Sequence, residues 1–360
     1  MNKKKILTII GTRPEIIRLS RILPKLDKYA DHRILHTGQN YDPSLNSIFF
    51  KELKIRKPNT VINSKSYSFA GQLGKIINGV ESYINDFKPD RVLILGDTNS
   101  CLSAIVCERM GIPVYHMEAG NRCYDLSVPE EKNRKIIDSI STINMPYTSQ
   151  SRENLLREGL PNNKIIVTGN PINEVLDYYI DDIDGSDILD KLHLWPKDYI
   201  VATAHRAENV DSDERLRNII DSFYEIANDY RVVFSCHPRT KQRLDNLNIS
   251  IDTNKIKIID PLGFFDFVKL EKNSIAAITD SGTVQEEMCL FRIPTITIRD
   301  TTERPETVWC GSNVVTGLKK ENIIAGYHML KSWDTKWRIP EYYTIHNVSD
   351  VVVNVLLSGE

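Results

Sequence analysis

Short apolar runs alternate with amphipathic stretches along most of the chain. In the first half the runs fall at 5–10, 33–36, 91–95, 114–117, 143–145 and 165–167. Their residues are apolar in succession rather than in alternation, the pattern of strands buried on both faces of a parallel sheet. Between them, helices are predicted over 14–28, 69–87, 99–109 and 151–158. The stretch 181–198 is acidic, contains Gly185 and is broken by Pro196, which marks a junction between domains. The pattern then restarts, with strands at 199–203, 231–235, 256–259, 275–279 and 295–298 and helices at 213–230, 265–272 and 284–291. This alternation predicts an α/β fold of two doubly wound halves facing each other, each with the carboxyl ends of its strands available to a ligand. The expected domains are 1–170 and 171–344. A last apolar stretch, 351–357, follows Ser349 and Asp350 as candidate N-caps, and the segment 345–360 is expected to dock back on the first domain as a helix.

A chain of 360 residues exceeds one typical core, which again favours two domains. The net charge of −2 gives no field for nucleic acid or an anionic membrane surface. Cys101, Cys107, Cys123, Cys236, Cys289 and Cys310 show no CxxC or zinc-finger spacing and read as reduced thiols of a cytosolic protein. The apolar run at 6–10 is too short for a signal peptide or a membrane span. No HExxH or paired His/Cys spacing calls for a metal, although Asp97 with Glu118 could hold Mg²⁺. Neither a GxGxxG after the first strand nor a P-loop is present, so no dinucleotide cofactor is indicated.

Polar groups collect directly after the predicted strands. The densest run lies between Thr279 and Glu306, where a strand ends in Asp280, Ser281 and Gly282 and opens a helix. Backbone N–H groups at a helix start suit a phosphate. Glu286 and Glu287 lie near that helix start, and Glu287 could accept from a ribose hydroxyl. The same turn could equally serve close packing alone. In the first half Asp97, Glu118 and Glu130 follow strands or lie soon after them. Three carboxylates at one sheet edge repel one another, so one should carry a raised pKa and act as acid or base. Asp97 alone would read as an N-cap and Glu130 alone as a solvated loop residue. Arg13, Arg122 and Arg134 would offset the repulsion or hold phosphate oxygens. His205 ends the first strand of the second half and could move a proton or bind phosphate, while His237 reads as structural.

The ordered motifs GTRPE, TGQ, GDT, HMEAG, PEE-x-NR, AHR-x-EN, DSG-x-x-QEE and RDTTERPE resemble those of the UDP-N-acetylglucosamine 2-epimerase family, from residue 5 to about 317. The resemblance implies two Rossmann-like domains around a cleft, the glycosyltransferase-B fold. It implies that Arg13, Ser281, Gly282 and Thr283 lie at the UDP phosphates, Glu287 at the ribose and Phe267 at the uracil. Arg304 and Arg134 would neutralise phosphate or sugar-side charge, and Arg18 and Gln39 would join the substrate site. Asp97, Glu118 and Glu130 would be the acid/base carboxylates, with His205 completing the site. The implied chemistry uses no cofactor: UDP leaves as a proton leaves carbon 2, then re-adds while a proton arrives on the other face. A homodimer acting on a UDP-amino sugar is expected.

Departures from the common family pattern point further. They are Arg18 for Lys, Asn40 for His, Gly120-Asn121-Arg122-Cys123 for a GLR motif, Ala207 for a second Arg, Thr283 for a third Gly, and a shortened loop from Gly120 to Glu130. Together they are similar to the branch that makes UDP-N-acetyl-L-fucosamine from UDP-2-acetamido-2,6-dideoxy-L-talose for capsule and O-antigen. A 6-deoxy sugar favours an apolar wall near carbon 6, for which Tyr124 and Leu126 are candidates, unless they merely pack the loop. The competing expectations are a UDP-GlcNAc to UDP-ManNAc epimerase, a hydrolase releasing UDP, a glycosyltransferase, and a nucleotide-sugar binder without chemistry.

Overall fold

A computed structural model of the chain describes residues 3–39 and 43–358; Asn40 lies outside them. Among the described residues the strands form two six-stranded parallel sheets. The first holds β1 (Lys5–Ile10), β2 (Asp31–His36), β3 (Thr60–Val61), β4 (Arg91–Leu95), β5 (Val114–Met117) and β6 (Ile143–Met145), in the order β3-β2-β1-β4-β5-β6. The second holds β7 (Tyr199–Thr203), β8 (Arg231–Ser235), β9 (Ile256–Ile259), β10 (Ala277–Thr279), β11 (Thr295–Thr297) and β12 (Asn313–Val315), in the order β12-β11-β10-β7-β8-β9. Read from its other edge, the second order repeats the first. Each is the doubly wound 3-2-1-4-5-6 arrangement, in which the strand order reverses between two central strands and opens a crevice at their carboxyl ends. Those central pairs are β1 with β4 and β7 with β10.

The chain divides into two compact units, Met1–Tyr178 with Tyr342–Glu360, and Tyr179–Glu341. In the first, Leu7, Ile9, Leu35, Val92 and Ile94 pack with Ile76, Val80, Ile84 and Phe87 of the helix Phe69–Phe87. The helix residues recur at three- and four-residue spacing, so one face is apolar and buried. Ser68 caps its start by accepting from the Gly71 N–H, and Lys88 ends it in a left-handed conformation. Burying each aliphatic side chain contributes about 1.5–3 kcal/mol. The helix Val348–Leu357 packs on the helix Ile22–Tyr29. Ser349 donates to Glu174, and Arg91 donates to the carbonyls of Val355 and Leu356 at the other end.

The structure differs from the sequence expectation in several elements. The single helix expected over 14–28 is two, Arg13–Leu19 and Ile22–Tyr29, because Pro24 has no N–H to continue the ladder to Ser20. The strand expected at 165–167 reduces to one bridge from Ile165 to Asn144. The expected helix over 99–109 opens as a tight turn, Cys101–Ser103, before Ala104–Arg109. The helices Pro129–Ile140, Pro238–Asn246 and Lys320–Met329 and the strands β3 and β12 were not anticipated.

Candidate active site

In the first unit the chemistry gathers after β4 and β5. Glu118, the residue after β5, is buried and takes φ +67°. A non-glycine residue in that region is held there by its surroundings, and such positions concentrate at functional sites. Its Oε2 lies 3.3 Å from Nη1 of Arg18, itself 1% exposed. The Arg18 guanidinium also sits 5.6 Å from the Tyr147 ring centroid. Asp97 follows Gly96 after β4. Arg134 grips its Oδ2 with Nε at 2.8 Å and Nη2 at 2.6 Å, and places Nη1 2.8 Å from Glu131. The helix Pro129–Ile140 therefore turns Glu131, Asn133, Arg134 and Asp138 inward. Glu130, in its first turn, is half-exposed and has no ion pair among the described residues. Glu131 also accepts from the N–H groups of Cys123 (3.0 Å) and Tyr124 (3.1 Å), which pins the shortened loop. On that loop Tyr124 and Leu126 are 65% and 57% exposed.

Arg122 corrects the sequence reading. It was expected to offset Asp97, Glu118 and Glu130 or to hold phosphate. Instead it is buried, with Nη2 2.7 Å from Asp138 and Nε donating to Glu158 at 2.9 Å. His116 places Nδ1 2.9 Å from the same Asp138 and Nε2 2.8 Å from the Gly96 carbonyl. Burial would raise the Asp138 carboxyl, but His116 and Arg122 together hold it below its ordinary value. This network fixes the backbone just ahead of Asp97.

Glu15 was not singled out from the sequence. It is buried, and accepts from the N–H groups of Gly11 and Thr12 and from the Thr98 hydroxyl at 2.7 Å. Burial pushes its carboxyl up to about 7, against those hydrogen bonds and with help from Asp97. The signal was present: Thr12 and Glu15 form a capping box, Ser/Thr-x-x-Glu, at the start of Arg13–Leu19. Gln39 accepts from the Ser100 N–H (2.9 Å) and hydroxyl (2.8 Å), tying the ends of β2 and β4 together. Arg13 is half-buried, its guanidinium 5.9 Å from the Phe49 ring centroid.

In the second unit Asp280 is the hub. It is buried and accepts from the N–H groups of His205 and Arg206 (2.8 Å each) and from the Asn209 amide (3.1 Å). His205 Nδ1 lies 3.0 Å from its Oδ1, which leaves Nε2 turned away from the carboxylate on a side chain 42% exposed. Burial would raise Asp280, but His205 and these N–H groups hold it well below the ordinary carboxylate range. His237 accepts from the Arg239 N–H and caps the helix Pro238–Asn246.

Ser281, Gly282 and Thr283 open the helix Gly282–Phe291. The Ser281 N–H donates to Thr279 Oγ1 at 2.9 Å, so it is already engaged. A Cβ at Gly282 would lie 2.7 Å from Glu303 Oε1, so a larger residue there would displace that carboxylate. Thr283 is half-exposed. Around this helix start Arg304 pairs with Glu286 (2.5 Å), and Arg299 and Arg206 approach Glu303 (2.7 and 3.6 Å). Arg206 also lies 3.8 Å from Glu208, so carboxylates balance these guanidiniums, and what the helix start offers an anion is N–H donors rather than a net positive charge. Glu287 faces Glu271 of the helix Phe264–Asn273, and Phe267 of that helix packs half-buried against Val201, Ala277, Val284, Met288 and Ile293. Among the described residues no group of three or more His, Cys, Asp or Glu is placed to hold a metal ion, and no helix is long and apolar enough to cross a membrane.

Comparison with known proteins places these features. The profile of the family UDP-N-acetylglucosamine 2-epimerase matches residues 25–357. The chain is 41% identical over 349 residues to the UDP-N-acetylglucosamine 2-epimerase of Methanocaldococcus jannaschii, covering 93% of this chain and 94% of that one. It is 35% identical over 327 residues to the UDP-2,3-diacetamido-2,3-dideoxy-D-glucuronate 2-epimerase of Pseudomonas aeruginosa, covering 89% and 90%. The crystal structure of the Methanocaldococcus jannaschii enzyme with UDP-GlcNAc and UDP superposes with a TM-score of 0.94 at 40% identity, covering 99% of this chain and 100% of that chain. The fold class is that of two Rossmann-like α/β domains, glycosyltransferase-B-like, as the motif order implied. Identity of this degree along nearly the whole length, on the same two sheets, means that the chain belongs to the UDP-N-acetylglucosamine 2-epimerase family of isomerases, in its non-hydrolysing type.

Proposed function

We propose that this isomerase interconverts UDP-2-acetamido-2,6-dideoxy-L-talose and UDP-N-acetyl-L-fucosamine, for capsule or O-antigen polysaccharide. Epimerisation at carbon 2 of a UDP-N-acetylamino sugar is the activity of its family. The observation that carries the narrower reading is the exposed pair Tyr124 and Leu126 on the loop pinned by Glu131, an apolar face suited to a methyl in place of a hydroxymethyl. The proposed reaction is an elimination and its reversal. A carboxylate takes the proton from carbon 2, the carbon 1–oxygen bond breaks, and UDP departs with the electron pair, leaving a glycal. UDP then re-adds at carbon 1 while an acid delivers a proton to the other face of carbon 2. Asp97, Glu118 and Glu130 are the proposed acid/base groups, and each such proton transfer contributes roughly 10²–10⁴-fold. Arg18 holds Glu118 and Arg134 holds Asp97, so these two carboxylates are each aimed by a cation. Gln39 is a further proposed substrate contact.

On the second unit we assign the UDP diphosphate to Ser281, Gly282, Thr283 and Arg304; Arg13 is a further proposed phosphate-binding residue. The ribose falls to Glu287 and the uracil to Phe267. His205, oriented by Asp280, serves the departing diphosphate or moves a proton. The proposed working form is a cytosolic homodimer. A second reading, interconversion of UDP-GlcNAc and UDP-ManNAc, is favoured by the name of the Methanocaldococcus jannaschii relative. Incubation with each nucleotide sugar, followed by NMR of the anomeric proton, separates the two. Turnover of the 6-deoxy-L-talose donor with UDP-GlcNAc unchanged supports the first, and the reverse result supports the second. Steady accumulation of free UDP contradicts both.

A further inference from the structure

Two acidic side chains meet in the interior of the second unit. Glu271 lies on Phe264–Asn273 and Glu287 on Gly282–Phe291, and the two helices pack together. Glu271 is 0% and Glu287 3% exposed. Their carboxyl groups are within hydrogen-bonding reach of one another. Neither carboxyl oxygen of Glu271 has any other hydrogen-bond partner among the described residues. An isolated carboxylate in such a place is strongly disfavoured by desolvation, and two adjacent carboxylates are disfavoured further by their repulsion. A proton on Glu271 removes the repulsion and lets its otherwise unpartnered carboxyl donate to Glu287. Desolvation first, then the neighbouring Glu287, pushes the Glu271 carboxyl well above its ordinary range, which agrees with this placement.

We propose that Glu271 is a positioning residue for nucleotide recognition: as the neutral acid it donates a hydrogen bond to Glu287 and holds that carboxylate to accept from the ribose hydroxyls. The proposal rests on the assignment of Glu287 to the ribose. Phe267 strengthens it, because it precedes Glu271 by four residues on the same helix and so shares its face. The side chain assigned to the uracil and the one that aims the ribose acceptor are thus carried by a single rigid element.

The test is calorimetric binding of UDP and of 2′,3′-dideoxyuridine diphosphate to the full-length wild type, E271Q and E271M. The wild type is expected to prefer UDP. E271Q, whose amide still donates, should keep that preference, whereas E271M should bind UDP about tenfold more weakly with the dideoxy compound unaffected. Equal weakening of both ligands in E271M would mean plain packing and overturn the proposal. An undiminished preference for UDP in E271M overturns it too, while leaving the ribose assignment of Glu287 intact. Absence of any preference in the wild type sinks the Glu287 assignment instead. Should E271M not fold, infrared spectroscopy well above pH 7, where Glu15 is ionised, decides: a protonated-carboxyl band lost in E271Q supports the proposal, and its absence from the wild type contradicts it.

Discussion

Arg18 places Nη1 3.3 Å from Glu118 Oε2, and both side chains are buried. A guanidinium presents a rigid planar fork that a lysine ammonium cannot reproduce. Glu118→Gln is expected to lower kcat by roughly a hundred- to ten-thousand-fold while UDP still binds. Arg18→Lys should lower kcat more than it raises KM, because it disturbs the orientation of an acid/base group rather than a binding contact. Steady-state kinetics with calorimetric UDP binding check both; unchanged turnover in Glu118→Gln removes that carboxylate from the chemistry.

Asp138 supports the site from beneath. It joins His116 to Arg122 and accepts from the Gly120 N–H, and its loss would leave all three buried donors short of an acceptor, with Arg122 held by Glu158 alone. Asp138→Ala is expected to destabilise the protein by roughly 3–5 kcal/mol, read from urea unfolding. Its carboxyl is held low in the folded state, so its contribution is present above the unfolded value of 3.8 and fades as the pH falls through the folded one.

Glu15 behaves oppositely. Its pKa rises from 4.5 to about 7 on folding, so the folded state binds the extra proton between those values. Its stabilising contribution is full below 4.5 and is lost as the pH climbs through about 7. Glu15→Gln cannot titrate. Relative to that variant the wild type should lose up to about 3 kcal/mol between pH 4.5 and 8, measured by urea unfolding at several pH values. Parallel curves would show that Glu15 does not change its protonation there.

Cys310 should be the reactive thiol. The Cys289 thiol lies 3.7 Å away, and a hydrogen bond between the two thiols holds Cys310 below its ordinary value, whereas the other five cysteines are all buried. Brief alkylation with iodoacetamide at pH 7, read by peptide mass spectrometry, should label Cys310 first. Earlier labelling of any other cysteine would contradict this.

The strands were legible because their residues are apolar in succession, and the long helix Phe69–Phe87 because its buried face is apolar at helical spacing. The helix Pro129–Ile140 was not, for the reason that makes it useful. Its inward face carries Glu131, Asn133, Arg134 and Asp138 beside a single buried aliphatic, Ile137, so the usual apolar stripe is mostly replaced by polar and charged groups. The two-residue β3 is exposed and offers no apolar run. At the site, the positions of Asp97, Glu118 and His205 after strands could be read directly. The partners that aim them could not: Arg134 lies 37 residues from Asp97 and Asp280 lies 75 from His205. Such pairings depend on strand order, which periodicity does not reveal. Arg122 illustrates the converse, a cation near the site in sequence whose charge is spent on Asp138 and Glu158.

The central claim is that a proton leaves and returns at carbon 2 of the sugar. Turnover of the UDP-amino sugar in D₂O, followed by NMR or mass spectrometry of the nucleotide sugar, tests it directly. The account predicts one deuterium at carbon 2 of the product, with its uptake suppressed in Glu118→Gln. Epimerised product that retains hydrogen at carbon 2 throughout would contradict it.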